Sequence, residues 1–260
     1  LVHHTLEGPE LSLEKGFANK LKTLVEIVIG PLSMRKAKGQ IGVTPEILDY
    51  EQERSRSKDR AGFVYPNGLG VVQNMVVGDE RAEVPRFIFI ASEFFPWHGL
   101  DRLLDSIEKN ESKFKLDIVG NVAEPDEVRA ANDPRIRLHG HLSIEKIKDL
   151  SAGADLGLTS FALDRKKMKQ ACTLKVREYL AMGLPVYSGH DDVFPKSFEF
   201  YRNDICDLTE ICNYATKTKT ISRAEIASSA KEYIDKKLLM QKLYKQITEK
   251  IFTGTANDQC

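Results

Sequence analysis

The chain carries no excess charge of either sign: 38 Lys and Arg stand against 38 Asp and Glu in 260 residues. Dedicated nucleic-acid binders usually show a basic excess, so that class is set aside. No apolar run approaches the ~20 residues needed to cross a bilayer. The opening Leu1-Val2-His3-His4 has no signal-peptide shape, and it lacks an initiator Met, as a fragment would. Cysteine is scarce. Cys172, Cys206, Cys212 and Cys260 form no C-x-x-C pair and have no zinc-like spacing to His. Reduced thiols, no metal and a cytoplasmic location are expected. There is no internal repeat and no low-complexity segment.

Within this neutral chain one stretch is strongly biased. From Arg165 to Arg177 there are six cations (Arg165, Lys166, Lys167, Lys169, Lys175, Arg177) and no acid. The stretch reads as a loop feeding a helix that starts near Thr173 and Leu174 and stops at Gly183. Backbone amides at a helix start have no intrahelical partner, and the helix dipole adds positive potential, so a cationic loop there suits phosphate.

Apolar spacing organises the rest. Leu13, Phe17, Leu21, Leu24 and Val28 predict a long helix over Leu11 to Lys36, broken near Gly30-Pro31. A short strand at Gln40–Val43 leads to a helix capped by Thr44, with Pro45 at its first position. The charged run Glu51 to Arg60 reads as solvated. Phe63-Val64-Tyr65 is a second short strand, and Gly78 to Val84 is linker-like. Phe87–Ala91 is apolar throughout, as in a strand buried on both faces. Leu116–Val119, Ile136–His139, Leu156–Thr159 and Leu184–Tyr187 follow as strands. Between them lie a helix from His98-Gly99 and one capped by Ser143. Helices at Arg223 to Leu238 and Leu239 to Ile251 close the chain. Strands alternating with helices predict an α/β fold with a doubly wound parallel sheet. Its ligand edge gathers Ser92, Gly120, Asn121, Gly140, His141, the Arg165–Lys167 loop and Thr173 onward.

At these residues the sequence resembles the C-terminal half of a GT-B glycosyltransferase of the retaining family-4 (group 1) type. Leu174-Lys175-Val176-Arg177-Glu178-Tyr179-Leu180-Ala181-Met182-Gly183-Leu184-Pro185-Val186 is similar to the family's K-x-x-E-Y-x-A-x-G-x-P-V signature. Pro66-Asn67-Gly68 resembles the turn ending its first domain, Trp97–Leu104 its KG-x-D-x-L helix start, and Arg137–Leu142 the strand and glycine before its base-binding turn. The resemblance implies a partial N-terminal acceptor-side domain at 1–68, a Rossmann-like donor-binding domain at 69–235, and a C-terminal helix and tail at 236–260. The substrate it implies is a nucleotide diphosphate sugar, transferred to a glycan or lipid-linked acceptor with no metal or other cofactor. The family's glycine-rich loop and histidine of the first domain have no counterpart here.

Residue by residue, the resemblance gives Glu178 the ribose hydroxyls. It gives Lys175 and the amides of Thr173 and Leu174 the diphosphate, and the turns after Gly120 and Gly140, with Leu142, the base. The competing reading pairs Glu178 with Lys175 on a solvated face, and makes Thr173 a plain N-cap. Gln170 marks a departure: the family commonly has a glutamate eight residues before the ribose-binding one, against the transferred sugar. Glutamine bonds sugar hydroxyls but brings no charge to an oxocarbenium-like state, which leaves a catalytic Gln170 and an exposed loop residue as alternatives. The family's Arg and Lys around the first strand and helix are replaced by Ser92 and His98, which leaves Arg165, Lys166 and Lys167 either as stand-ins from across the site or as a solvated basic loop. His98 reads as helix-start packing, with a phosphate contact when protonated as the alternative, and Asp191-Asp192 as a cap of the following turn, with a reach to the donor sugar as the alternative. A donor-binding module without catalysis, and a phosphorylase-like enzyme, remain as alternatives. Lys231, Lys236, Lys237, Lys242 and Lys245 give the last helices a basic face, either solvated or resting on the inner surface of a membrane.

Overall fold

The computed structural model describes residues 2–4, 29–32, 34–56, 58, 60–70 and 75–254. Most of the helix expected over Leu11 to Lys36 lies outside them. Residues 29–32 and 34–36 are helical, and the residues on either side of Gly30-Pro31 that would show the expected break lie outside the described ones.

A small parallel sheet comes first: β1 (Val2–His3), β2 (Gly39–Gly42) and β3 (Ala61–Val64), in that order. Between β2 and β3 lies α1 (Pro45–Arg54). Thr44 caps it, its hydroxyl accepting from the Ile47 amide at 3.3 Å, and Pro45 occupies the first turn. The charged run Glu51 to Arg60, expected to be solvated, is so at Glu53, Arg56 and Lys58 but not at its start. Glu51 is fully buried and held by Arg54 at 2.7 Å, and Ser55 is buried against the Glu51 carbonyl. A buried carboxylate needs such a partner, and charge pattern alone does not reveal it.

The second sheet is wholly parallel, with order β6-β5-β4-β7-β8-β9. Its strands are β4 (Arg86–Glu93), β5 (Lys115–Asn121), β6 (Ile136–Leu138), β7 (Leu156–Leu158), β8 (Val186–Ser188) and β9 (Tyr201–Asn203). The helices are α2 (Leu100–Glu108), α3 (Asp126–Asn132), α4 (Ile144–Ala152), α5 (Leu174–Ala181), α6 (Leu208–Thr218), α7 (Arg223–Ile234) and α8 (Lys236–Gly254). Side chains alternate across a strand, and β4 uses both faces. Phe87 and Phe89 join Leu103, Leu104, Ile107 and Leu208 in one core. Ile88 and Ile90 join Val176, Leu180, Ile226 and Ile234 in the other. This two-sided burial is why β4 reads as an unbroken apolar run.

The linker-like segment Gly78–Val84 is not loose. Glu80 donates to the Ala152 carbonyl at 2.9 Å, and Val77 to Met182 at 3.3 Å. Lys219 donates to the carbonyls of Ala82 and Glu83. Backbone groups that composition assigns to solvent are thus paired with the C-terminal ends of α4, α5 and α6.

Candidate functional site

Strand order fixes where a ligand can sit. The chain winds from β4 out through β5 to β6, then returns beside β4 at β7 and continues to β9. Sheets of this kind bind ligands in the crevice at the carboxyl ends of the strands where winding reverses. Here that point lies between β4 and β7. Their ladder ends at Phe89↔Leu158. The next amide, Ile90, donates to the Tyr179 hydroxyl at 3.0 Å instead. Tyr179 is fully buried on α5, and its ring lies so close over β7 that a Cβ on Gly157 would stand 2.5 Å from it. Burial holds its phenol well above the usual range, so it stays neutral. These contacts anchor α5 against the crevice.

At the α5 start, Thr173 has N-cap backbone angles, φ −83° and ψ 145°, but its hydroxyl makes no capping bond. Thr173 Oγ1 is buried without a partner, so the plain N-cap does not form. Lys175 Nζ lies 2.8 Å from Glu178 Oε2, with side chains 38% and 35% exposed. An exposed i,i+3 pair is worth only ~0.3–0.5 kcal/mol. It is present, and it is weak enough for a polyhydroxyl or phosphate ligand to displace.

The loop before α5 differs from its expected arrangement. Arg165 donates to both oxygens of Asp101 at 2.9 and 2.6 Å and to the Pro96 carbonyl at 2.6 Å. Its guanidinium is therefore committed, and a phosphate would have to break a bidentate pair to use it. The Lys166 ammonium lies 5.0 Å over the Trp97 ring, while Lys167 is exposed. Arg177 is fully buried. It binds Asp192 bidentately, with neither side chain exposed, and donates to the Asn67 carbonyl at 3.1 Å. Asp192 also accepts from the Val193 amide at 2.6 Å, so it caps the turn and neutralises Arg177 together. The stretch of six cations is thus partly structural.

Gln170 is neither exposed nor free. Its side-chain oxygen accepts from the Glu46 amide at 3.0 Å, and its own amide donates to Glu46 Oε2 at 2.7 Å. The Lys169 amide donates to the same carboxylate at 2.9 Å. A reciprocal clasp therefore joins α1 to this loop, which sequence spacing could not show across 124 positions. Nearby, the Asn67 side chain donates to the Cys172 carbonyl at 2.7 Å. Burial pushes the Cys172 thiol up to about 12, leaving it protonated.

The remaining expected residues line the same edge. Ser92 is exposed at the end of β4. Gly120 donates to the Gly140 carbonyl at 2.8 Å, and Phe94 to the Asn121 carbonyl at 2.8 Å. These bonds tie together the turns after β4, β5 and β6. Gly120 has φ 125°, and a Cβ there would fall 1.6 Å from the Ala91 carbonyl oxygen, so only glycine fits. His141 is exposed, whereas Leu142 is half-buried and packs on the α5 side of the core. His98 Nδ1 accepts from the Phe95 amide at 2.9 Å, and burial lowers its pKa to about 4. It offers no charge to phosphate near neutral pH. A cavity of about 790 Å³ opens beside the ends of β8 and β9, lined by Arg102, Phe161, Gly189, Asn203 and Asp207. None of the expected site residues lines it. Among the described residues no group of three or more His, Cys, Asp or Glu is placed to hold a metal. No described helix is long and apolar enough to cross a membrane.

With this geometry in place, residues 84–191 match the family described as glycosyl transferases group 1. Over that segment, less than half of its length, the chain is similar to group 1 glycosyl transferases. Solved structures of the same fold include the lipopolysaccharide outer core galactosyltransferase WaaB in its apo form, at 14% identity and TM-score 0.62. That alignment covers 82% of this chain and 62% of the galactosyltransferase, so the chain spans less than two thirds of that protein's length. Sucrose-phosphate synthase from Thermosynechococcus elongatus aligns at 15% identity and TM-score 0.63, over 95% of this chain and 67% of its own. Anabaena Alr3699/HepE, solved in complex with UDP and glucose, aligns at 16% identity and TM-score 0.61, over 96% and 71%. At such identities the likeness establishes the GT-B fold. No curated protein matches the chain significantly.

Proposed function

We propose that the chain binds a nucleotide diphosphate sugar at the β4–β7 crevice and belongs to a retaining glycosyltransferase acting on a glycan or lipid-linked acceptor. The observation that carries this reading is the α5 start. Its first-turn amides lack a side-chain cap, and an exposed Lys175–Glu178 pair lies one turn on. In this reading those amides and Lys175 hold the diphosphate, where charge grows as the glycosidic bond breaks. Glu178, released from Lys175, accepts from the ribose hydroxyls. The turns after Gly120 and Gly140 frame the base. In this reading residues 1–68 belong to the acceptor-side domain, 69–235 to the donor domain and 236–260 to the closing helix and tail.

One observation favours a second reading, a donor-binding module without turnover: the Gln170 side-chain oxygen is already engaged by the Glu46 amide. Titration with UDP, GDP and their sugars, followed by a donor hydrolysis assay, separates the two. Binding with hydrolysis supports the transferase, and binding alone supports the module. No binding of any nucleoside diphosphate sinks both. Glu178→Ala is expected to weaken nucleotide affinity by about tenfold, the loss of one or two hydrogen bonds to a charged group.

A further inference from the structure

The turn between β4 and α2 carries a feature that the donor site leaves unused. Phe95 and Trp97 stack at a centroid distance of 4.5 Å and 17° between planes, and the His98 ring lies 6.2 Å from Phe95 and 6.0 Å from Trp97. Phe95 is 39% exposed, whereas its neighbour Phe94 packs edge-on against Phe89 in the core. An exposed aromatic pair on a loop ordinarily loses order. This one is fixed from several sides. Phe161 donates to the His98 carbonyl at 2.9 Å, and Ala162 to Trp97 at 3.3 Å. Arg165 holds the Pro96 carbonyl and Asp101, and Phe95 is tied back to His98. The turns after β4 and β7, which flank the winding reversal, are thereby stitched together, and the aromatic rings stand on the seam. Groups that bond hydroxyls belong to the same turn: the Lys166 ammonium lies over Trp97, and the exposed Ser92 and Glu93 end the strand that leads into it.

We propose that the outer face of Phe95, backed on its other side by the stacked Trp97, forms a preorganised shelf for a pyranose ring of a saccharide. A pyranose has one face of C–H groups and a rim of hydroxyls. A flat aromatic surface takes the first and a polar border the second, while a ring fixed in advance loses little entropy on binding. This rests on the proposed transferase reading only in assigning the saccharide to a sugar-handling site. The shelf itself stands on its own geometry.

Trp97 is the single tryptophan of the chain, so its emission reports on the shelf directly. The experiment titrates the intact chain with methyl glucoside, lactose and maltotriose, and separately with UDP, following tryptophan fluorescence. The shelf predicts a saturable shift with at least one saccharide, and an affinity about tenfold weaker in Phe95→Ala, roughly one aromatic contact. Phe95→Tyr should retain binding, which separates loss of the ring from loss of folding. UDP affinity, read by calorimetry, should be the same in Phe95→Ala as in the parent. No saccharide-induced shift, or a shift unaffected by Phe95→Ala, overturns the shelf even where UDP binds. If UDP is the ligand that loses affinity in Phe95→Ala, the rings belong to the nucleotide and the proposal is wrong. If saccharides bind while no nucleoside diphosphate does, the shelf stands and the donor reading fails.

Discussion

Arg177 and Asp192 show how far a single residue can depart from its sequence context. Arg177 sits in a basic run and reads as a ligand cation, yet both partners are sealed from solvent. Burial opposes its charge, but Asp192 outweighs burial and holds the guanidinium firmly protonated. Removing one partner leaves an uncompensated buried charge. Arg177→Met is therefore expected to cost about 3–5 kcal/mol in urea denaturation, with a substantial part recovered in Arg177→Met/Asp192→Leu. A second residue-scale prediction concerns acid. Burial pushes the Asp117 carboxyl up, but Arg86 at 2.5 Å and His139 at 2.7 Å together hold it below the usual range. Its folded pKa is depressed, so its contribution is full above the ordinary carboxylate value and fades as pH falls through the folded one. Below about pH 4, the stability of Asp117→Asn should fall less steeply with pH than that of the parent chain. His98, lowered to about 4 by burial, gives stability lost between about pH 6.5 and 4. Its ring protons should titrate near the lower value by NMR.

At the scale of elements, β4 and α5 were the most legible. β4 announces burial on both faces by an unbroken apolar run, and α5 by a cationic start, an apolar face and the Gly183 stop. Other elements gave no such signal. β9 is a three-residue edge strand, Tyr201–Asn203, with two exposed members, so no apolar run marks it. α3 buries only Ala130. α6 is the exception: Leu208, Ile211, Tyr214 and Ala215 stand at helical spacing behind an Asp207 cap, a pattern visible in the sequence. The candidate site was legible as a set of strand ends, because topology brings those together. Its hydrogen bonding was not, since partners such as Glu46 and Gln170 lie far apart in sequence. The hydroxyl of Tyr179 is similar: nothing local says that it completes β4. Tyr179→Phe removes one atom yet leaves the buried Ile90 amide without an acceptor. A loss of about 1–3 kcal/mol is expected in thermal or urea unfolding.

For the whole molecule, the clasp between Glu46 and the Lys169–Gln170 backbone joins the smaller sheet's helix to the loop that leads into α5. Glu46→Ala should raise hydrogen exchange selectively at the Lys169 and Gln170 amides while leaving β4 protected. Unchanged exchange there would show that the clasp holds nothing. A second junction lies elsewhere. Leu69, where the chain leaves the smaller sheet, donates to the Ile234 carbonyl at 2.8 Å, and Lys236, where it begins to return as α8, donates to the Leu69 carbonyl at 3.0 Å. The outgoing and returning passes are thus laced together, and α8 then runs back against β3. Two laced passes share one axis, so twisting bends both by the same angle. A backbone nick in either pass would leave the two lobes still tethered through the other.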